Sequence, residues 1–493
     1  MSFATTNQTA MYYVAEGTWG TTPSTPTLQE LRYTGEGINY EIENVTSDEI
    51  RSDRMTSDTV QVGQSTSGNL DFELSYGSYD AFFESALYQT FVTGNNVGDT
   101  TKITAGTTAG TLDIAFATGG TITLGATHGH AYIEGQAIEV ANAPSIANDG
   151  VYSIVSVAGD VLTVSPAPAV TETAESATTI KGSKDYITAG STANMDISTN
   201  TSGTITFGSA VAHNFVVGQW IQTSNFAASN LNGVFARITG VSGNVLTVSP
   251  APLTTEATNI TGGRVSGARL RNSPNAAGIT QKPFTIQKRF NDATSVIYQN
   301  LTGMVADTMG LSFDTGSILT GNFGFIGSSS NIGTSQIAGA TDVGSTTTDV
   351  MNAVSNLQNI EFDDTDTTAC LVSMTLDTAG NLRAQNCVGS LAAVGIGTGR
   401  QEITGSITLF FEDTTEYQKF LDNTSFKLSF RLQDGDNNAY VITLPKVKYE
   451  GQTMNSGGLD GEVELSGTYR ALLGTVGGVN HMIEIDRIPA AVA

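Results

Sequence analysis

Along most of the chain apolar and polar residues alternate with a period of two, the pattern of a strand with one buried face. In NLDFELS, Leu70, Phe72 and Leu74 fall on one face and Asp71 and Glu73 on the other. In NYEIEN, Tyr40 and Ile42 oppose Glu41 and Glu43, and in GEVELS, Val463 and Leu465 oppose Glu462 and Glu464. Gly, Asn and Asp break these runs at short intervals, and Val, Ile, Thr and Phe fill them, which predicts a mainly β protein. Two stretches switch to helical spacing. SYDAFFESALYQ places Tyr79, Phe82, Phe83 and Leu87 on one face of a short helix, predicted to pack on a sheet, and TTEYQKFLDN predicts a second helix.

Repeats organise the rest. GTITLGATHGHAYIEGQAIEVANAPSIANDGVYSIVSVAGDVLTVSPAP, from Gly120, recurs as GTITFGSAVAHNFVVGQWIQTSNFAASNLNGVFARITGVSGNVLTVSPAP, from Gly203. His130 and His213, Gly150 and Gly233, and Leu162 and Leu246 are matched positions. Each copy predicts a small β domain with Asn-Gly and Gly-Asn turns. A weaker repeat encloses this one. GNLDFELSYGSYDAFFESAL (from Gly68), FTIQKRF (from Phe284) and TGMVADTMGLSFDTGSILTGNFGFIG (ending at Gly327) are matched in order by GSITLFFEDTTEYQKFLDN (from Gly405), FKLSFRL (from Phe426) and TLPKVKYEGQTMNSGGLDGEVELSG (ending at Gly467). The reading is one β fold present twice, with two β modules inserted in a loop of the first copy. The expected division is an N-terminal arm over 1–30, copy one over 31–99 and 266–335, inserts over 100–184 and 185–265, copy two over 336–475, and a tail over 476–493. Insertions are tolerated at exposed tips, so the inserts are expected to project outward.

Charge narrows the function. The chain has 493 residues and a formal net charge of -25, which argues against a surface that holds phosphates. The inserts carry -6 of this over 103–264, leaving -19 on the duplicated fold. The segment TSDEIRSDRMTSDT between two predicted strands is an exception in a charge-poor protein, with Asp48, Glu49, Arg51, Asp53, Arg54 and Asp58 in a row. Alternating signs in a long loop suit ion pairs that fix orientation across a subunit interface; a solvated loop is the plainer reading.

No catalytic constellation is legible. His130 and His213 lack the further ligands a metal needs. GIGTG from Gly395 lacks the Lys-Ser/Thr of a phosphate loop. DGDNN from Asp434 is followed by Ala439 and Pro445 where a calcium loop needs Gly and Glu, so it predicts a hairpin turn. Cys370 and Cys387 are expected as buried or half-buried thiols rather than a disulfide framework. The N-terminus does not read as a signal peptide, and no apolar run reaches membrane-spanning length. No cofactor, metal or enzymatic activity is expected. On composition alone, a surface-layer or adhesin-like modular β protein is the alternative to a structural assembly protein.

The order YYVAEGTWGTTPSTPTLQ, LRYTGEGINYEI, TSDEIRSDRMTSD, GNLDFELSYGSYDAFFESAL, FTIQKRFND and LTGMVADTMGLSFDTGSILTGNFGFIG resembles the tail tube proteins of long-flexible-tailed bacteriophages (siphophages). The resemblance covers about 10–98 and 280–328 directly, and 356–470 through the internal duplication. It implies a β-sandwich or split-barrel unit with one flanking helix, whose strands join those of neighbours into stacked rings. Two copies per chain imply a trimeric ring with pseudo-sixfold symmetry. It further implies that the loop over 45–67 reaches the adjacent ring, and that double-stranded DNA passes through the lumen without specific binding. Other partners would be a tape measure protein and further tail proteins, with the virion as location after synthesis in the host bacterial cytoplasm and no membrane insertion. Within that expectation Glu41, Glu43, Asp71, Glu73, Glu462 and Glu464 are the candidate lumen-facing acids. Copy two has QNCVGSLAAVGIGTGRQ, from Gln385, in place of the charged loop.

Overall fold

The computed structural model describes residues 5–94, 103–106, 113–126, 128, 130, 132, 137–174, 178–182, 186–189, 196–209, 213–257, 263–272, 278–291, 295–366, 370–459 and 461–489. It is mainly β, with two short α-helices, α1 (Asp80–Ala86) and α2 (Thr415–Leu421).

The alternating segments form eight consecutive antiparallel neighbours of one sheet: Asn39–Thr46, Thr59–Glu73, Thr320–Gly327, Ile297–Asp314, Leu371–Ala379, Glu402–Phe410, Glu464–Ala471 and Ala439–Asn455. The first four belong to copy one and the last four to copy two. The join is the pairing of Thr308–Asp314 with Ser373–Ala379. The strands of each copy recur in the same connection order, and their irregularities recur with them. Ile297–Asp314 carries a bulge between Ala306 and Thr308, and Ala439–Asn455 carries one between Tyr449 and Gly451. A Cβ on Gly68 would lie 2.2 Å from the carbonyl oxygen of Gly37, and one on Gly405 would lie 2.1 Å from that of Thr375. Both glycines are held in place by the same close approach of a neighbouring backbone.

A second layer closes each copy. Thr9–Ala15 pairs with Phe284–Phe290 in copy one, and Leu357–Phe362 pairs with Phe426–Gln433 in copy two. One hydrophobic cluster runs between the layers through both copies, from Leu70, Phe72 and Phe325 to Met374, Ile407 and Tyr469. The segments read as an arm and a tail are therefore part of the folded units. Thr9–Ala15 and Thr27–Leu31 are paired strands, and Glu484–Ile488 lies between Ala439–Thr443 and Ala268–Arg271 with Ile483, Ile485 and Ile488 buried. The alternation in MIEIDRI is short, and only its tertiary neighbours make it an interior strand.

The inserts form two further sheets. Eight strands between Ile103 and Gly182 make one, and seven between Tyr186 and Ser266 make the other, each around its own apolar cluster. The matched histidines do the same work in each: a ring nitrogen of His130 donates to the Gly159 carbonyl (3.1 Å) and that of His213 to the Gly243 carbonyl (3.0 Å). Cys370 and Cys387 are both exposed, against the expectation of burial; each lies next to a loop rather than on a core face.

Candidate assembly surface

The eight-strand sheet has one apolar and one polar face, as alternation requires. Leu70, Phe72 and Leu74 are buried on the first, where the Phe72 ring stacks on Phe323 at 4.9 Å between centroids. Gly321 makes room for that ring, since a Cβ there would come within 2.4 Å of it. On the other face, register places Asp71 across from Gly35 on one side and Asn322 on the other, and Glu41 and Glu43 across from Ser65 and Gly63. Glu464 lies on the same face in copy two, beside Asn455, with Glu402 and Asp377 on neighbouring strands. Glu462 precedes the strand Glu464–Ala471, so that pair is split between a strand and the loop before it. Arg470 stands among these acids and is engaged, with Nε 2.5 Å from Glu450 and NH1 3.6 Å from Glu402. The Arg400 guanidinium bonded to Glu402 holds that carboxyl below its ordinary range. Much of the remainder of the face is Ser, Thr, Asn and Gly, including Ser312, Thr375, Thr408 and Ser466, with Lys448 across from Arg470 and Phe410 across from Glu464.

Asn39–Thr46 and the first half of Thr59–Glu73 extend beyond this sheet as a two-stranded arm, with the charged loop at its tip. Both faces of the arm are solvent-exposed. Ile42, Val45, Ile50, Met55, Val60 and Val62 are all exposed apolar side chains there. In the loop, Arg51 bonds Asp53 through two N–H···O contacts (3.1 and 2.7 Å) and lies 4.0 Å from Glu49. The hydrogen bond from Arg51 lowers the Asp53 pKa. Arg54 takes a left-handed φ of 59°. The Asp58 carboxylate accepts from the Thr59 N–H, and its carbonyl accepts from the Ser47 N–H, closing the loop. Arg51 is thus paired within the loop, with Asp53 and Glu49, and the loop stands clear of its own subunit.

The corresponding loop of copy two behaves differently. Residues 380–401 fold back onto copy one, where Leu382 and Ile396 pack against Tyr88 and Val305. The Leu382 N–H donates to Asp307 (2.8 Å) and the Gln64 N–H to the Leu391 carbonyl (2.9 Å). Leu382, Ala393 and Ile396 anchor its two ends, while the stretch between them, with Cys387 and Val388, is exposed.

The two helices are also unequal. Tyr79, Phe82, Phe83 and Leu87, at and around α1, are all buried, with Phe82 edge-on to Phe284 and Phe325. Copy two closes over this helix: Asp80 accepts from Tyr440 and Arg487, and Phe83 meets the Tyr440 ring. No residue of α2 is buried, and Leu421 is 58 % exposed. The role of Asp80, Tyr440 and Arg487 is invisible in the sequence, where they lie some 360–407 residues apart.

The second insert is fastened to copy two. Trp220 and Phe235 share an apolar cluster with Ala439, Val441 and Ile488, and Arg431 stacks on Phe235 at 4.2 Å. Arg237 joins Lys427 on Asp364; burial alone would raise that acid, but the two cations hold its pKa down. Beneath lies a buried charge cluster on the C-terminal strand. Arg271 Nε (2.6 Å) and His481 Nε2 (3.2 Å) both meet Glu484, and the Trp220 N–H donates to Asp486 (3.0 Å). Burial opposes ionisation of both acids, but His481 and Arg271 hold Glu484 at about 2, whereas burial and the charge on Glu484 push Asp486 well above the carboxylate range.

Among the described residues no group of three or more His, Cys, Asp or Glu is arranged to hold a metal ion, and no helix is long and apolar enough to cross a membrane. Asp434 accepts from the N–H groups of Asp436 and Asn438, making DGDNN a hairpin turn. The geometry is that of a protein whose chemistry is contact: a duplicated sheet with free edges, one polar face, and a projecting arm with apolar side chains. No curated protein matches the chain. The family model for the phage tail tube protein matches residues 6–471, and the chain therefore belongs to the phage tail tube protein family, structural components of the virion tail that assemble into a tube.

Proposed function

We propose that three copies of the chain close into a ring of pseudo-sixfold symmetry, that rings stack into the tail tube, and that the polar face of the eight-strand sheet lines the bore. The observation that carries this is the continuity of one sheet across both copies, with one apolar cluster running along its inner face through both. Three chains of eight strands give a closed wall of 24, which leaves no sheet edge unpaired. Glu41, Glu43, Asp71, Glu73 and Glu464 then repeat around the bore, with Glu462 at its margin. Double-stranded DNA carries one charge per ~1.7 Å and is repelled by such a wall, so it slides rather than binds. The same reading makes a tape measure protein the occupant of the bore before DNA, and the host cytoplasm the place of synthesis.

The arm with Asp48, Glu49, Arg51, Asp53, Arg54 and Asp58 is proposed to engage the adjacent ring, where Ile50 and Met55 would be covered. The inserts stand on the outer side, opposite the polar face. Electron microscopy of concentrated protein tests the whole reading. Hollow striated tubes with threefold rings, outer knobs and the Asp71 face inward are expected. Flat sheets, or a map with Glu41, Asp71 and Glu464 on the outer wall, would overturn it.

A further inference from the structure

We infer that the two free edges of the sheet pair with each other between copies of this chain in one register: Gly451–Asn455 of one copy runs antiparallel to 37–41 of the next, with Thr453 opposite Asn39. The inference rests on the ring reading above and specifies the contact that closes it.

Each edge is paired on one side only. Tyr449–Asn455 pairs with Glu464–Tyr469, and 35–46 pairs with Thr59–Asp71; no described strand covers the other side of either. They stand first and eighth in the run, at opposite ends of the sheet, so one chain does not bring them together. The chain also contains its own template for their union. Thr308–Asp314 is to copy one what Gly451–Gly457 is to copy two: the bulges at Ala306/Thr308 and Tyr449/Gly451 align, as do those at Phe284/Ile286 and Phe426/Leu428. Likewise Ser373–Ala379 corresponds to 35–41, since Asp377 opposes Thr404 as Asn39 opposes Ser67, and Ser373 opposes Thr408 as Gly35 opposes Asp71. At the internal join Thr308 meets Ala379, Gly310 meets Asp377 and Ser312 meets Thr375. Carried over, Gly451 meets Glu41, Thr453 meets Asn39 and Asn455 meets Gly37.

Side chains agree with this transfer. Leu311, opposite Leu376 at the internal join, is 3 % exposed, while its counterpart Met454 is 46 % exposed and would come to lie opposite Ile38. The Gln452 Oε1 is buried and unbonded beside the same edge. The helix completes the match. Copy two covers α1 with Tyr440, whose counterpart in copy one is the half-buried Ile297, and α2 offers the half-buried Tyr417 and the exposed Leu421, beside a Phe420 that partly packs on its own core, to that position in the next copy. The occupant is thus a second copy of the chain, because the surface on offer is the one already filled within each copy.

Paired cysteines read the register. Cys370 and Cys387 are exposed and are first replaced by Ser. In that background, Asn39→Cys with Thr453→Cys is expected to give a closed covalent trimer on mild oxidation of assembled protein, and a 1:1 mixture of the two single variants to give covalent dimers. Glu41→Cys with Thr453→Cys, two residues out of register, is expected to cross-link at least tenfold more slowly. Circular dichroism and melting of each single variant establish that the chain is folded. Threefold rings that cross-link only through the offset pair, or through neither, would overturn the register while leaving the ring intact. Folded protein that forms neither rings nor cross-links would overturn both.

Discussion

At the scale of single residues, position in the fold assigns opposite states to two like carboxyls on one strand. Glu484 and Asp486 are both buried between the second insert and copy two, but Glu484 has Arg271 and His481 against it while Asp486 has the Trp220 N–H and an ionised neighbour. The two acids contribute to stability with opposite signs. Glu484, depressed to about 2, stabilises the fold above its unfolded value near 4.5, and that contribution is lost as pH falls toward 2. Asp486, raised, contributes stability below its unfolded pKa that is lost as pH rises through its folded one. Arg269 and Arg271 face the pair from the adjoining strand. Asp486→Asn keeps an acceptor for the Trp220 N–H and removes the ionisable proton. Its melting temperature is expected to exceed that of the parent at pH 8 and to match it near pH 4; a loss of stability at pH 8 would show that Asp486 is ionised in the fold. None of this was legible in GEVELS-like alternation, because Glu484 and Asp486 occupy what a period-two reading takes for a solvent face.

At the scale of elements, the duplication was legible and the joints between elements were not. The helix in SYDAFFESALYQ follows from its spacing, and each apolar residue buried there contributes about 1.5–3 kcal/mol. That α1 is covered and α2 open depends on which copy has a neighbour within the chain, and spacing cannot express it. The inserts show the same division. Their repeat is visible, yet only the fold shows that the second is seated on Ala439, Val441 and Ile488 while the first meets the rest of the protein chiefly through the second. Replacing residues 103–182 with a short Gly/Ser linker is therefore expected to leave stability of the duplicated fold within about 0.5 kcal/mol. Replacing 95–262 exposes the three apolar residues and takes Arg237 from Asp364 and the Trp220 N–H from Asp486, and is expected to cost about 2–5 kcal/mol. Denaturant titration of the two deletions checks both; equal effects would mean that the second insert is not a fastened part.

At the scale of the whole molecule, the net charge of -25 acquires a direction. Glu41, Glu43, Asp71, Glu73, Asp377, Glu402 and Glu464 share the polar face of the sheet; of the basic residues there, Arg470 is engaged by Glu450 and Glu402, and Lys448 bonds the Asn423 amide oxygen. With a Debye length near ~8 Å at physiological ionic strength, only carboxylates on the bore wall act on DNA inside it. Tubes assembled from Glu41→Lys, Asp71→Lys, Glu73→Lys protein are expected to retain duplex DNA about tenfold more than parent tubes at ~50 mM salt, with the excess lost as salt rises. The retained DNA is expected to resist nuclease. Binding that stays nuclease-sensitive would place these residues on the outer wall.

The amino-acid sequence by itself determined the strand content, the repeats and the helix faces, because each depends on residues within a few positions of one another or on a copied segment. It also carried the family, through motifs in fixed order. The tertiary structure alone decided that the supposed arm and tail are strands, that Cys370 and Cys387 are exposed, that the charged loop stands free while its counterpart is anchored on copy one through Leu382 and Ile396, and that the strands at the two ends of the sheet are each paired on one side among the described residues. Those outcomes depend on pairing between segments hundreds of residues apart, where one edge or face is satisfied only if another is placed beside it, and local alternation holds no record of the partner.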